Sequence, residues 1–353
     1  MLNRLLVLLI VGLLAACDTS MTTPPPSAED PVPRGERILA MHIVEGEGES
    51  YDAALDAAES LGVEAVTLSL TWRTLEPQPG TFDLSLLDIA ESYFPSTGLK
   101  LDLMIGPIDT NNDARPDDLR GLPFDDPEVI RRFEALLDAA LPQIPNVDLT
   151  FFAIGNEVDA FLTDAAAWEV YGVFYRAAAE RVRTLRPGVD IGVKVTADGL
   201  TGENRALAQV LNADSDLILT TYYPLDDDFT VRPPSVVGAD FDAIAEAYPA
   251  RPVYVAEAGY PASPLCDSSD EMQAAFVRAL FEAWDEHEDQ FRGISYSFLT
   301  DFSPAAVDEF ETYYGISDER FSGVLGSLGL RSHDLDERPA LAAYREEAAA
   351  RGW

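Results

Sequence analysis

Two glutamates in this chain stand where side chains can do chemistry. Glu157 follows the apolar run Phe152-Ala153-Ile154-Gly155 and its neighbour Asn156, and Glu257 closes Pro252-Val253-Tyr254-Val255-Ala256. Carboxylates at the tips of two buried-type runs are groups that a fold can carry to one place. Two carboxyls converging in a cleft can divide the work. One stays ionised and attacks; the other is kept protonated and donates to a leaving group. That division suits hydrolysis of a glycosidic bond. The ionised partner attacks directly when the pair is close, and a water intervenes when it is not. Plainer readings exist for both. Asn156 and Glu157 also suit the first turn of a helix, as cap and dipole partner. Glu257 also suits a structural ion pair with an arginine.

The elements that must position them follow from hydrophobic periodicity. Strand-like runs lie at residues 38–43, 63–70, 100–106, 148–155, 189–196, 216–222, 252–257 and 293–299. Helical periodicity fills 51–61, 84–93, 127–141, 164–185, 202–212, 239–248, 269–286 and 337–350, with Ser50, Asp126, Thr163 and Ser268 at N-cap positions. Strands that are apolar on both faces, each followed by a helix, predict a parallel sheet covered on both sides. Eight such units predict an α/β chain folded as a (β/α)8 barrel, whose functional side chains sit at the C-terminal strand ends. In that frame Glu157 ends the fourth strand, Glu257 ends the seventh, and the two face each other across the mouth. An open doubly wound sheet is the alternative, but the stretch MHIVEGEGES after the first strand is a poor match to a phosphate-binding glycine turn.

Asn156-Glu157 at the fourth strand end, with a glutamate at the seventh, resembles the clan A retaining glycoside hydrolases. Trp72 to Asp83 (WRTLEPQPGTFD) is similar to the segment after the second strand of many such enzymes. Thr221-Tyr222-Tyr223-Pro224 looks like their sixth-strand end. Glu257-Ala258-Gly259-Tyr260-Pro261 is similar to the seventh-strand end of the family 53 endo-β-1,4-galactanases. These landmarks run in order over residues 38–345. The resemblance implies Glu157 as acid/base, Glu257 as nucleophile, Asn156 on the sugar 2-hydroxyl and Tyr222 orienting the nucleophile. It implies a β-linked polysaccharide or oligosaccharide as substrate, β-1,4-galactan by nearest motif, and no cofactor. The sequence departs from the pattern in three places. The eighth-strand tryptophan is replaced in Ser295-Tyr296-Ser297-Phe298, so Tyr296 or Phe298 would stack the sugar. Leu225-Asp226-Asp227-Asp228 stand where galactanases place aromatics, and Met41-His42-Ile43 lacks their first-strand aspartate.

Other residues carry two readings each. Arg73 fits the arginine that braces the nucleophile in the clan, or a surface ion pair. Trp72 fits a sugar platform or packing at the barrel rim. His42, ending the first strand, fits a core histidine or a substrate contact. Lys194, mid-strand among valines, fits a buried ion pair or a site contact. Asp109, Asn111 and Asn112 read as a solvated loop, with sugar hydroxyls as the other reading. His42, His287 and His333 lack zinc-ligand spacing. No G-x-S-x-G elbow and no EF-hand loop is present.

Composition narrows the partners. Of 353 residues 47% are hydrophobic, enough for a large core, and 62 acids against 24 bases give a net charge of −38. Such a surface argues against nucleic acid and against electrostatic docking to anionic membranes. The only lysines are Lys100 and Lys194. An acid-rich, lysine-poor surface fits salty water and predicts stability and activity rising towards molar salt; a GC-rich genome also replaces Lys with Arg. Cys17 and Cys266 make no disulfide framework, and Cys266 reads as a small packed side chain. Residues 1–16 read as an export signal: Arg4, then an apolar run from Leu5 to Leu14 that is too short to cross a bilayer, where about 20 residues are needed. Leu14-Ala15-Ala16-Cys17 resembles a bacterial lipobox, which implies cleavage before Cys17 and its acylation. Residues 17–36, rich in Pro, Ser and Thr, read as a tether, leaving 37–353 as the barrel. The expected protein is an exported glycosidase that touches the membrane only through its lipid anchor. A catalytically idle, glycan-binding barrel on the same anchor is the alternative.

Overall fold

The computed structural model describes residues 31–353. The signal, Cys17 and most of the tether lie outside the described residues. Eight parallel strands form the barrel: β1 Ile38–Met41, β2 Ala65–Thr71, β3 Lys100–Gly106, β4 Leu149–Ala153, β5 in two pieces (Ile191–Gly192 and Lys194–Thr196), β6 Ile218–Tyr222, β7 Val253–Ala258 and β8 Phe291–Tyr296. β8 returns to β1, with Gly293 opposite Ile38. The first piece of β5 pairs with β4 and the second with β6, which closes the ring. This is the (β/α)8 architecture that the alternation predicts.

The outer layer is α1 Tyr51–Glu59, α2 Ser85–Thr97, α3 Pro127–Ala140, α4 Ala165–Leu185, α5 Arg205–Leu211, α6 Val237–Ala247, α7 Asp270–Glu286 and α8 Pro339–Arg351. Ser50 and Asp126 cap α1 and α3 as expected. The caps of α4 and α7 fall one residue later, on Asp164 and Ser269. Ser268 is otherwise engaged, donating its hydroxyl to the Pro261 carbonyl at 2.6 Å. The barrel's contacts also begin before residue 37. Val32 N–H donates to Asp285 at 3.2 Å and Arg34 N–H to the Arg351 carbonyl at 2.8 Å, so the last residues assigned to the tether lie against α7 and α8.

Side chains along each strand alternate between the barrel interior and the helix layer. Phe151 and Ala153 of β4, Leu219 of β6, and Tyr254 and Ala256 of β7 share the inner cluster. The Tyr254 ring lies 4.9 Å from Phe151 and its hydroxyl donates to Asp102 of β3 at 3.0 Å. Gly293 of β8 makes room for that ring, since a Cβ there would fall 2.2 Å from it. Val66 and Leu70 of β2, and Val253 and Val255 of β7, point outward into the large cluster under the helices. The last loop, between β8 and α8, adds two helices that the periodicity reading passed over, Pro304–Tyr314 and Glu319–Leu325. Its base is fixed by buried ion pairs, Arg338 to Asp301 at 2.5 Å and Arg331 to Glu49 at 2.6 Å.

Candidate active site

Glu157 reaches the mouth just past the end of its strand. Phe151 and Ala153 point inward, β4 ends at Ala153, and the next four residues carry the chain to Glu157. The chain turns at Gly155, whose φ is +93°; a Cβ there would sit 2.5 Å from the Tyr171 hydroxyl and 2.7 Å from Val158. Glu157 itself is left-handed, at φ 43° and ψ 48°. Few residues other than glycine adopt that region, and such strain concentrates at functional sites. Both oxygens of its carboxyl accept from neutral hydroxyls, Thr221 Oγ1 at 2.7 Å and Thr110 Oγ1 at 2.8 Å. Burial, with the charge of Glu257 in second place, pushes its pKa up from 4.5 to about 7.

Glu257 reaches the mouth out of phase. Tyr254 and Ala256 point inward, so strict alternation would aim Glu257 at the helices. The β6–β7 register shifts at this point: Val255 lies opposite Thr220 and Glu257 opposite Thr221, leaving Ala256 unmatched. This bulge turns Glu257 inward, beside Ala256. There Lys194 Nζ of β5, fully buried, pairs with Oε1 at 2.9 Å, and the Tyr223 hydroxyl donates to Oε2 at 2.9 Å. Burial alone would raise this carboxyl. The Lys194 charge, then His42, then the hydrogen bonds from Lys194 and Tyr223 outweigh it and hold the pKa below the ordinary value.

Both glutamates line one pocket of about 340 Å³. Asn156 also lines it; its Nδ2 donates to Asp109 Oδ1 at 3.0 Å, while its buried Oδ1 has no protein partner and is an acceptor available to a hydroxyl. His42 sits at the base of the site. Its Nε2 donates to the Ala256 carbonyl at 3.2 Å and its ring meets Phe298 edge-on at 5.3 Å. Burial lowers its pKa to about 4, so it is neutral at pH 7. Phe298 lines the pocket.

Several expected site residues lie elsewhere. Tyr222 points outward by strand alternation, packs against Phe241 and Phe276, and donates its hydroxyl to Asp240 at 2.8 Å. The next residue, Tyr223, is the tyrosine that donates to Glu257. Trp72 is outward by the same parity, 0% exposed, and meets Phe133 edge-on and stacks on Phe174 in the core. It is no sugar platform; its Nε1 donates to Glu76 at 2.7 Å. Glu76 also accepts from Gly80 N–H at 2.6 Å and Arg132 at 2.5 Å, so the Trp-to-Asp segment is a structural brace outside the barrel. Arg73 does not brace Glu257. It bonds the carbonyls of Asp113 and Arg115 and lies 3.9 Å from Asp117. Lys194 supplies the cation instead, and as the lone basic residue within a strand of aliphatic neighbours it was the signal. Tyr296 faces Tyr344 of α8, not the pocket. Asn111 lines the pocket, and with Asp109 and Asn112 it clasps the last loop. Asp109 accepts from the Tyr313 hydroxyl at 2.8 Å, and the two amides donate to the carbonyls of Tyr314 and Tyr313 at 2.8 and 3.1 Å. Cys266 is a buried free thiol, raised by burial to about 11.

No family model and no curated protein matches this chain. Solved structures do. The exo-β-1,4-mannosidase Op5Man5 from Opitutaceae bacterium strain TAV5 superposes with a TM-score of 0.68 at 18% identity, over 91% of this chain and 61% of that one. The present chain therefore spans under two thirds of that protein. The family 53 glycoside hydrolase catalytic domain of Ignisphaera aggregans gives 0.66 at 18% identity, over 89% of this chain and 98% of that one. A family 5 glycoside hydrolase variant from Streptomyces cattleya, in complex with Manβ1-4GlcNAc, gives 0.65 at 18% identity, over 89% and 80%. At these identities the likeness establishes the fold, a barrel that glycoside hydrolases of several families share.

Proposed function

We propose that the protein is a retaining glycoside hydrolase acting on a β-glycosidic bond by a two-glutamate double displacement. The observation that carries this is the opposed state of two carboxyls in one pocket: Glu157 raised to about 7 and Glu257 held below its ordinary value. At slightly acidic pH one is an acid and the other an anion, the division that glycoside cleavage requires. Glu257 attacks the anomeric carbon while Glu157 gives its proton to the departing oxygen. Esterification removes the charge of Glu257, the Glu157 pKa falls, and Glu157 then takes a proton from the water that releases the sugar. Asn156 Oδ1 receives the sugar 2-hydroxyl. The solved structures of like fold that bear glycosidase names support the reading.

The test is a screen of aryl β-glycosides and β-linked polysaccharides, β-1,4-galactan among them, with the product anomer followed by NMR. Retention, and a mechanism-based fluorosugar trapped on Glu257, are expected. Inverted product overturns the double displacement. Binding of glycans with no turnover and no label on Glu257 points instead to an idle binding barrel. Export through the signal and anchoring at Cys17 complete the proposal; radiolabelled palmitate incorporation, lost on Cys17→Ala, tests them.

A further inference from the structure

We propose that the substrate is a glycoside with an apolar leaving group, an aryl, alkyl or lipid aglycone, and that the last loop builds the site for it. This rests on the glycosidase reading of Glu157 and Glu257. The wall of their pocket is a continuous chain of rings. Phe302 lies 4.7 Å from Phe298 and 4.8 Å from Phe310; Tyr314 lies 6.1 Å from both Phe310 and Phe321; Phe321 lies 5.3 Å from Phe229 of the loop after β6. All six line the pocket together with the two glutamates. The clasp from Asp109, Asn111 and Asn112 to Tyr313 and Tyr314 fixes this wall in place.

A sugar stacks on one ring and needs polar partners for the hydroxyls around its edge. Here most of the nearby donors are engaged, and the Tyr314 hydroxyl is the polar tip of the ring wall. The hydroxyls of Thr110 and Tyr223 hold the carboxylates, and Asn111 Nδ2 holds the Tyr314 carbonyl. A hydroxyl pressed against the rings loses water without gaining a partner, a loss of roughly tenfold or more in binding for each. The glycone cannot shed its hydroxyls, and it keeps Asn156 and the carboxylates. The aglycone is free to be apolar, so the ring wall belongs to it. Polar surface resumes on the other side of Glu157, with Thr196, Asp198, Asp226, Asp227 and Arg232, so the apolar wall is a local construction rather than the character of the whole mouth.

The experiment compares octyl, methyl and disaccharide β-glycosides of glucose, galactose and mannose on the full chain. For the glycone that is cleaved, kcat/KM for the octyl glycoside is expected to exceed that for the methyl glycoside by about 50-fold, the effect of burying about three methylenes. Phe310→Ser and Phe321→Ser, checked by circular dichroism, each bring that ratio towards one. The ratio is internal to one preparation, so loss of folded protein cancels. Calorimetry on Glu257→Gln gives the same preference without turnover. Equal kcat/KM for octyl and methyl, or a preference for the disaccharide over octyl, overturns the proposal and leaves the glycosidase reading standing. Octyl-selective binding with no cleavage of any glycoside overturns the glycosidase reading and with it the leaving-group assignment.

Discussion

Glu157 and Glu257 hang from opposite sides of one barrel, and their surroundings differ in what meets the carboxyl. Around Glu157 the partners are the neutral hydroxyls of Thr110 and Thr221. Around Glu257 they are a buried ammonium and a phenol. Desolvation is the largest influence on both, and it favours the neutral form of each. Two hydroxyls are too weak to reverse it; one cation with a phenol is strong enough. The lysine is the chief influence that lowers Glu257 and not Glu157, which places much of the asymmetry on β5 rather than on either glutamate.

The comparison is broken most severely by removing its two members. Glu257→Ala is expected to lower kcat about 10⁴-fold or more, and Glu157→Ala about 10²–10⁴-fold, with circular dichroism unchanged. Wild-type rates in both variants would sink the assignment. Lys194→Met should come next. Without the cation Glu257 titrates higher, so kcat/KM at pH 5 falls by about a hundredfold and the acid limb of the profile moves up. The orphaned buried carboxylate also lowers stability by about 3–5 kcal/mol, read from urea melts. An unmoved acid limb would show that Lys194 does not set the charge. Tyr223→Phe removes a weaker donor and is expected to act in the same direction by about tenfold, while Tyr222→Phe leaves the limb where it is.

The alkaline limb reports the other member. Wild-type kcat/KM is expected to decline above about pH 7 as Glu157 loses its proton. Thr221→Val deletes a bond that favours the anion, so that limb moves upward by less than one unit; a downward move would reverse the account. The smallest effect concerns stability. Glu157 is raised from 4.5 to about 7 in the fold, so between these values the native state holds a proton that the unfolded chain has lost. The contribution of this group is complete below about 4.5, is lost as pH rises through the window, and levels above 7. Asp102, also raised to about 7 by burial, adds in the same direction. Glu157→Gln should flatten part of that slope in denaturant titrations across pH 4–8.

Period-two alternation explains which parts of the site the sequence reveals. Counting inward positions from Ala40 reaches His42, while Glu157 lies past the end of its strand, where the chain turns at Gly155. The same count along β6 puts Thr221 inward and Tyr222 outward, and along β2 it puts Trp72 outward. Those two assignments rested on motif likeness without the count, and the parity of their own strands contradicts them. Glu257 is the reverse case: its place at the tip of an apolar run brings it to the mouth, while parity alone would have pointed it at the helices, because a bulge leaves no compositional trace. The barrel was readable because apolar runs and helical stripes are local. The last loop was not, since Phe302, Phe310, Tyr314 and Phe321 acquire a common purpose only when two short helices fold over the mouth.

The irregularity at Ala256 also makes the place of the Glu257 carboxylate a matter of register. Seating Ala256 opposite Thr221 would restore a straight ladder with β6 and swing the Glu257 side chain into the layer of hydrocarbon beneath the helices. Such a chain would retain both glutamates, the lysine and the tyrosine, and would lack the anion in the pocket. In this protein a carboxylate's usefulness depends on a miscounted step in the backbone as much as on the residue that the step presents.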